Sequence, residues 1–297
     1  MRAAAPAKIN LFLHILGKRP NGYHDMQSLV VFSAFGDEIE AEPASDLTLS
    51  ISGPRAAAIA GVASADNLIM RAANLLRERA GRPALGAHLR LRKEIPAGAG
   101  LGGGSSDAAV TLKLLNTLWG LNLALSELEG IGLSLGADIP VCLRAQPTWV
   151  GGIGEDLEAA EGLPPLWLVL AFTGREMPTA PVFKELKREE WSAVKASPSF
   201  ASADALAFDL RDTRNDLEAP ALRLQPQIGP LINELRHQPG CQLARMSGSG
   251  SACFGIFASE IEAFQAADNL TQHHGLWAVP TRTALPRRAE WMQASSL

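Results

Sequence analysis

The segment KEIPAGAGLGGGSSDAA, residues 93–109, decides how the rest of the chain is read. Five glycines fall at Gly98, Gly100, Gly102, Gly103 and Gly104. Two serines and an aspartate then open a stretch with Ala108, Ala109, Leu112 and Leu115 at helical spacing. Glycines let backbone amides approach a ligand closely, and a helix start adds unpaired N–H groups with a partial positive charge. Together they form an anion cradle of the kind that most often holds phosphate. Gly98-x-Gly100-x-x-Gly103 satisfies the dinucleotide pattern, but it lies about a third of the way along the chain and not in an opening βαβ unit. No Gly-Lys-Ser/Thr follows, so the Walker pattern is absent.

Upstream, residues 7–15 alternate, with Ile9, Leu11, Leu13 and Ile15 on one face and Lys8, Asn10, Phe12 and His14 on the other, which predicts a strand. Lys8 and Asn10 then point the same way, about 7 Å apart by strand rise. On the residues alone this is an edge strand with a solvated polar face. The turn-rich loop over 17–25 presents Tyr23, the only tyrosine, beside His24. The pair either stacks on a heterocycle or plugs the loop to the core. Further strands are expected over 47–51, 85–91, 166–172 and 277–285, with a glycine-serine turn running into another over 245–257. Helices are expected over 66–81 with Asp66 as cap, 105–119, 179–187, 198–208 and 226–237. Ser126 with Glu129, and Ser259 with Glu262, open two more. Pro140 disfavours helix at Ile139. The glycine-, acid- and proline-rich stretch 151–165 marks a domain boundary, giving 1–160 and 161–297 in an α+β arrangement with helices on one face of each sheet.

The 297 residues carry 47% hydrophobic and 20% charged side chains and a net charge of −4, globular values that argue against general affinity for nucleic acid or anionic membrane. Cys142, Cys241 and Cys253 form neither a C-x-x-C zinc pattern nor an even disulfide set. With no signal-peptide layout and no apolar run of membrane length, a cytoplasmic protein is expected.

The pattern Pro96-x-x-x-Gly100-Leu101-Gly102-Gly103-Gly104-Ser105-Ser106-x-Ala108-Ala109 resembles that of the GHMP kinase superfamily. So do Ala5-Pro6-Ala7-Lys8-Ile9-Asn10-Leu11, Gly136-Ala137-Asp138-Ile139-Pro140 and the late Ser247-Gly248-Ser249-Gly250-Ser251, in the same order along the chain. Arg245-Met246 before that late turn is a mild departure. The resemblance implies a two-domain fold, an N-terminal ATP-binding α+β domain and a C-terminal ferredoxin-like α+β domain, with ATP and Mg²⁺ as cofactors and a monomer or homodimer as the working unit. Within the superfamily, residues 6–25 with Gly22-Tyr23-His24-Asp25 are similar to the branch acting on a cytidine diphosphate-linked methylerythritol, phosphorylated at its 2-hydroxyl. Kinases of mevalonate, homoserine or a sugar share the fold, and an inert nucleotide-binding regulator would need no catalytic pair.

By that resemblance Pro96, Ala97, Gly98, Ala99, Gly100, Leu101, Gly102, Gly103, Gly104, Ser105 and Ser106 bind ATP, with Ser105 or Ser106 helping to hold the metal. Lys8 and Asp138 become the catalytic pair, Asp138 as base or as orienting group and Lys8 stabilising the developing alkoxide. Asp138 faces the substrate, Asn10 hydrogen-bonds the substrate or Asp138, Tyr23 and Phe183 sandwich the cytosine, and His24 reads its polar edge. The turn 247–251 holds the substrate diphosphate, supports the nucleotide loop, or is only a tight turn. No motif defines the adenine pocket.

Overall fold

The computed structural model describes residues 1–63, 65–193 and 196–284. Two long antiparallel strands open the chain, β1 (Arg2–Lys18) and β2 (His24–Ala44), paired from Arg2 opposite Glu40 to Lys18 opposite His24. The sequence reading holds no strand over 26–44. Residues 28–33 are buried without interruption, so the period-2 signal that marks a half-buried strand is missing there. Nor is β1 an edge with a wet face. Register shifts between Pro6 and Lys8 and between Asn10 and Phe12 break its alternation, and Lys8 and Asn10 are only 5% and 4% exposed.

The first sheet runs β3-β4-β2-β5-β6, with β1 hydrogen-bonded to β2. Its shorter strands are β3 (Leu47–Ser52), β4 (Gly86–Arg92), β5 (Thr148–Gly151) and β6 (Asp156–Ala159). Helix α1 (Leu68–Arg79) links the parallel pair β3 and β4. Its cap is Asn67, whose side chain accepts from the Ile69 N–H, and not Asp66. Helix α2 (Gly103–Leu118) follows the glycine loop and buries Ala108, Ala109, Leu112 and Leu115 against Ile69, Ala72 and Leu76 of α1 and Ile39, Leu89 and Leu91 of the sheet. In α3 (Leu125–Leu135) Glu127 caps the N–H of Ala124, so the helix opens two residues before the expected Ser126. Contrary to the reading of Pro140 as a barrier, α4 (Ile139–Arg144) starts at the residue before it. A proline in the first turn forfeits only an N–H that has no intrahelical partner.

The second sheet is antiparallel, in the order β10-β7-β9-β8, from β7 (Trp167–Phe172), β8 (Cys241–Met246), β9 (Cys253–Phe257) and β10 (Trp277–Arg282). Counted in chain order these are the fourth, first, third and second strands, the ferredoxin-like arrangement. The expected strand over 277–285 ends at Arg282, and Leu285 lies outside the described residues. Between β7 and β8 come α5 (Thr179–Glu185), α6 (Ala203–Asp209), the unforeseen α7 (Glu218–Leu224) and α8 (Ile228–His237); α9 (Glu260–Gln272) joins β9 to β10. Leu231, Leu235, Ala263, Ala266 and Leu270 bury the apolar stripes of α8 and α9 against Val169, Ala171 and Phe257. The stretch 151–165 is not bare linker, since it contains the turn and second strand of the β5–β6 hairpin. The two sheets also share a core, with Ile9, Leu11 and Phe12 of β1 clustering with Leu168, Leu170 and Phe254. Among the described residues no helix is long and apolar enough to cross a membrane.

A buried ionic cluster anchors the entry to the glycine loop. Lys93 Nζ donates to Asp37 Oδ2 (2.5 Å) and Asp107 Oδ2 (2.9 Å), and Asp37 Oδ1 accepts from the N–H groups of Glu94 (2.6 Å) and Ile95 (2.8 Å). Burial works against the Lys93 charge, but Asp107 and Asp37 outweigh it and hold its pKa above the ordinary value. Burial likewise pushes Asp107 up to about 7, despite the attraction of Lys93. The folded state therefore keeps the Asp107 proton over a window, from about pH 4 to about 7, in which the unfolded chain has lost it. Across that window this group's contribution to stability falls as pH rises. Asp107→Asn keeps a neutral group in place, so its melting temperature relative to wild type is expected to rise between pH 4.5 and 7.5 by roughly 3 °C or more. A constant offset in thermal melts over that range would contradict the assignment.

Candidate active site

The glycine loop lies between β4 and α2 and is held by a second turn, residues 247–252, between β8 and β9. Ala252 N–H donates to Ala99 C=O (2.8 Å), and Ser247 Oγ lies 3.5 Å from the Gly100 carbonyl oxygen. At Gly100, where φ is +78°, an added Cβ would stand 2.6 Å from the Gly250 carbonyl oxygen and 2.9 Å from that of Ser247, so a side chain is excluded. The later turn is fixed from its other side by Asn215, whose Nδ2 donates to the carbonyls of Met246 (2.9 Å) and Gly248 (2.8 Å).

Gly102 caps α2 in the left-handed region with no side-chain hydrogen bond, which leaves the first-turn amides of α2 aimed into the loop. A Cβ at Gly102 would meet Lys8 Cβ at 2.9 Å, and the Lys8 N–H donates to Leu101 C=O (2.8 Å). β1 and the loop are thus in backbone contact at the lysine. Lys8 Nζ donates to Asp138 Oδ1 at 2.7 Å, joining β1 to the N-cap of α4. Lys8 is buried, whereas the Asp138 side chain is 52% exposed and accessible to a substrate. The sequence is folded so that residues 130 apart form one ion pair beside the glycine loop.

The remaining expected residues divide. Asn10 donates through Nδ2 to Ser28 Oγ (2.7 Å), and its N–H donates to Ser247 Oγ (3.2 Å). Its buried Oδ1 has no donor among the described residues, and the expected bond to Asp138 is not among the described contacts. His24 and Phe183 do meet, with ring centroids 5.4 Å apart and planes tilted by 34°. Burial, aided by nearby Lys18, holds His24 below its ordinary pKa, so it is neutral near pH 7. Tyr23 is 59% exposed, and its backbone N–H donates to Asn21 Oδ1. Ser106 Oγ is fully buried with no partner among the described residues, while Ser105 is half-buried. A buried hydroxyl without a partner fits the oxygen shell of a hard cation or a phosphate oxygen. Among the described residues no cluster of three His, Cys, Asp or Glu could hold an ion by itself, so a magnesium ion here would depend on phosphate oxygens and on Ser106 or Ser105.

Two features escaped the sequence reading. A cavity of about 190 Å³ opens beside the loop, lined by Ile59, Asn67, Leu68, Leu91, Pro96 and Asp107. Its apolar residues carry the same pattern as the core, and the sequence marked only its loop side, Pro96, Ala97, Gly98 and Gly104. Trp191, one of six tryptophans, packs edge-on to His24 with centroids 6.0 Å apart. A larger cavity of about 410 Å³ follows strand β8, lined by Arg211, Arg214, Arg236 and Arg245 among others, and includes none of Lys8, Asp138 or the glycine loop.

Residues 67–146 match the GHMP kinases N terminal domain family and residues 193–275 the GHMP kinases C terminal family. A 4-diphosphocytidyl-2-C-methyl-D-erythritol kinase of Cereibacter sphaeroides is 48% identical over 285 residues, covering 95% of this chain and 99% of that one. The Rhodospirillum rubrum kinase of the same name is 46% identical over 92% of this chain and 89% of its own length. A crystal structure of a 4-(cytidine 5'-diphospho)-2C-methyl-D-erythritol kinase superposes with a TM-score of 0.79 at 35% identity, covering 96% of this chain and all of that one. A homoserine kinase from Cytophaga hutchinsonii, at 14% identity and a TM-score of 0.70, shares the fold.

Gly100→Ala is expected to cost about 2 kcal/mol or more, since both left-handed strain and a backbone clash oppose it. Chemical denaturation checks this, and a loss below about 0.5 kcal/mol would mean that the two turns are not in the described contact.

Proposed function

The chain belongs to the 4-diphosphocytidyl-2-C-methyl-D-erythritol kinase family of GHMP kinases, and from that premise we propose how its own residues carry the reaction. It is a small-molecule kinase that transfers the γ-phosphoryl group of ATP to the 2-hydroxyl of 4-diphosphocytidyl-2-C-methyl-D-erythritol, giving the 2-phosphate and ADP in the methylerythritol phosphate route to isopentenyl diphosphate. The observation that carries the residue assignment is the 2.7 Å Lys8–Asp138 pair in backbone contact with the glycine loop.

ATP lies with its phosphates across Pro96 to Ser106, where the uncapped amides of α2 and the helix dipole favour negative charge. The 190 Å³ cavity, lined by Ile59, Leu68 and Leu91 together with Asn67, Lys93 and Asp107, takes the adenine. Magnesium, held by Ser106 or Ser105 together with phosphate oxygens, offsets charge on the transferring group when bound.

Asp138 accepts the proton of the 2-hydroxyl as the new O–P bond forms and the bond to the leaving ADP breaks. Lys8, hydrogen-bonded to Asp138 Oδ1, lies beside the carboxylate and donates through a second ammonium hydrogen to the oxygen that is losing its proton. Asn10 offers its unpartnered Oδ1 to the substrate. Phe183 and the exposed Tyr23 face the cytosine ring, while neutral His24 hydrogen-bonds its polar edge. The turn 247–251 supports the nucleotide loop, a role favoured by its close approach to Gly100. The three free cysteines suit a cytoplasmic enzyme.

Incubation with ATP and the cytidylyl substrate, followed by ³¹P NMR, is expected to show equimolar ADP and a phosphate monoester on the 2-oxygen. Absence of turnover, or an ester elsewhere, would overturn the reading. Asp138→Asn is expected to lower kcat by about 10²–10⁴-fold with the KM for ATP within about twofold of wild type. Near-normal turnover removes the base assignment. Tyr23→Ala is expected to raise the KM for the cytidylyl substrate roughly tenfold, and an unchanged value removes the stacking role.

A further inference from the structure

Asp216 is 3% exposed, and the mechanism above gives it no task. Its carboxylate joins three segments that are distant in sequence. Oδ2 accepts from the Ile15 N–H (2.7 Å) and the Ser192 N–H (3.0 Å), while Oδ1 accepts from Ser192 Oγ (3.1 Å) and Arg214 Nε (2.6 Å). The backbone reinforces the junction. Leu13 N–H donates to Arg214 C=O (3.1 Å), Asp216 N–H donates to Leu13 C=O (2.8 Å), and Ser192 N–H also lies 2.9 Å from Ile15 C=O.

The two segments gripped by this carboxylate are those that flank His24. Ile15 belongs to the end of the β1–β2 ladder, where Ile15 pairs with Met26 and Lys18 pairs with His24. Ser192 directly follows Trp191, whose ring stands at 85° to the His24 imidazole with 6.0 Å between centroids. The imidazole is thus seated between Phe183 and Trp191, and Trp191 is held to β1 through Ser192 and Asp216. A hydrogen bond to a charged acceptor is stronger and more directional than a neutral one, which suits a carboxylate to fixing this geometry. Leaving a buried N–H unpaired is costly, which ties the Ile15 N–H to the carboxylate, while the Ser192 N–H is shared between the carboxylate and the Ile15 carbonyl oxygen.

We propose that Asp216 is a positioning residue for cytosine recognition, setting the orientation of the His24 imidazole by clamping the Trp191–Ser192 segment to the end of β1. It touches neither substrate, and its influence falls on the cytidylyl side alone. The Lys8–Asp138 pair is anchored by α4, and the nucleotide loop by the Lys93 cluster and by the turn 247–252, which the neighbouring Asn215 braces through its own side chain. The proposal rests on the functional reading above.

The test is steady-state kinetics on the full chain with both substrates varied, for Asp216→Asn, Ser192→Ala, Trp191→Ala and the Asp216→Asn/Trp191→Ala double variant. Asp216→Asn and Trp191→Ala are each expected to raise the KM for the cytidylyl substrate about tenfold, with the KM for ATP within about twofold and kcat within about threefold. Ser192→Ala, which removes one of the four bonds, is expected to raise it about two- to threefold. Because both single changes act through the same imidazole, the double variant is expected to bind little worse than either alone.

Equal deterioration of both KM values, or multiplicative effects in the double variant, would mean a general structural role and overturn the proposal. Should Asp216→Asn not fold, Ser192→Ala and Trp191→Ala carry the same comparison, and an unchanged cytidylyl KM in both overturns it. A wild-type enzyme that does not turn over the cytidylyl substrate removes the functional reading and this inference with it. Normal wild-type turnover with unshifted variants removes the inference alone.

Discussion

Close packing of two glycine turns governs the placement of everything else in the site. Gly100 lies so near the carbonyls of Ser247 and Gly250 that no side chain fits between them. The first turn leads into α2 in the N-terminal half, and the second joins β8 to β9 in the ferredoxin-like sheet. Their contact therefore fixes how the two halves of the chain meet. Asn215 braces the second turn and Asp37 braces the approach to the first, so polar atoms on both sides resist separation. The seam between the two halves and the glycine loop are one structure.

Two lysines near that seam illustrate different uses of charge. Lys93 is enclosed by two carboxylates that are themselves buried, and removing the lysine would leave them uncompensated in a medium that solvates charge poorly. Its work is architectural. Lys8 is equally buried, yet its one carboxylate partner is half in solvent. Such a pair contributes little to stability, because solvent screens it while the lysine still bears its desolvation cost. An arrangement that is poor for stability but open to a hydroxyl suits a proton acceptor with an adjacent cation.

Much of this was legible in the sequence, for identifiable reasons. The glycine loop and α2 could be read because glycine spacing and helical periodicity are local properties, and α1, β3, β4, β7 and α9 followed from period or caps. β2 was hidden only in part. Over 28–33 it is covered on both faces and lacks alternation, whereas Glu38, Ile39, Glu40, Ala41 and Glu42 do alternate and were open to a period-2 reading. Lys8 and Asn10 looked solvated for a related reason, since period-2 reasoning cannot register the glycine loop and the turn 247–251 that cover their face of the strand. The pairing of Lys8 with Asp138 came from resemblance, because nothing local connects residues 130 apart. The cavity beside Leu68 and the Asp216 junction left almost no trace, for apolar lining imitates core and a buried carboxylate with scattered backbone partners has no spacing rule.

A crystal structure with a non-hydrolysable ATP analogue and the cytidylyl substrate bound together would test the central arrangement most directly. The expected result places the triphosphate over the amides that open α2, with the 2-hydroxyl about 3 Å from an Asp138 carboxylate oxygen. A triphosphate bound away from the glycine loop, or a 2-hydroxyl facing away from Asp138, would contradict it.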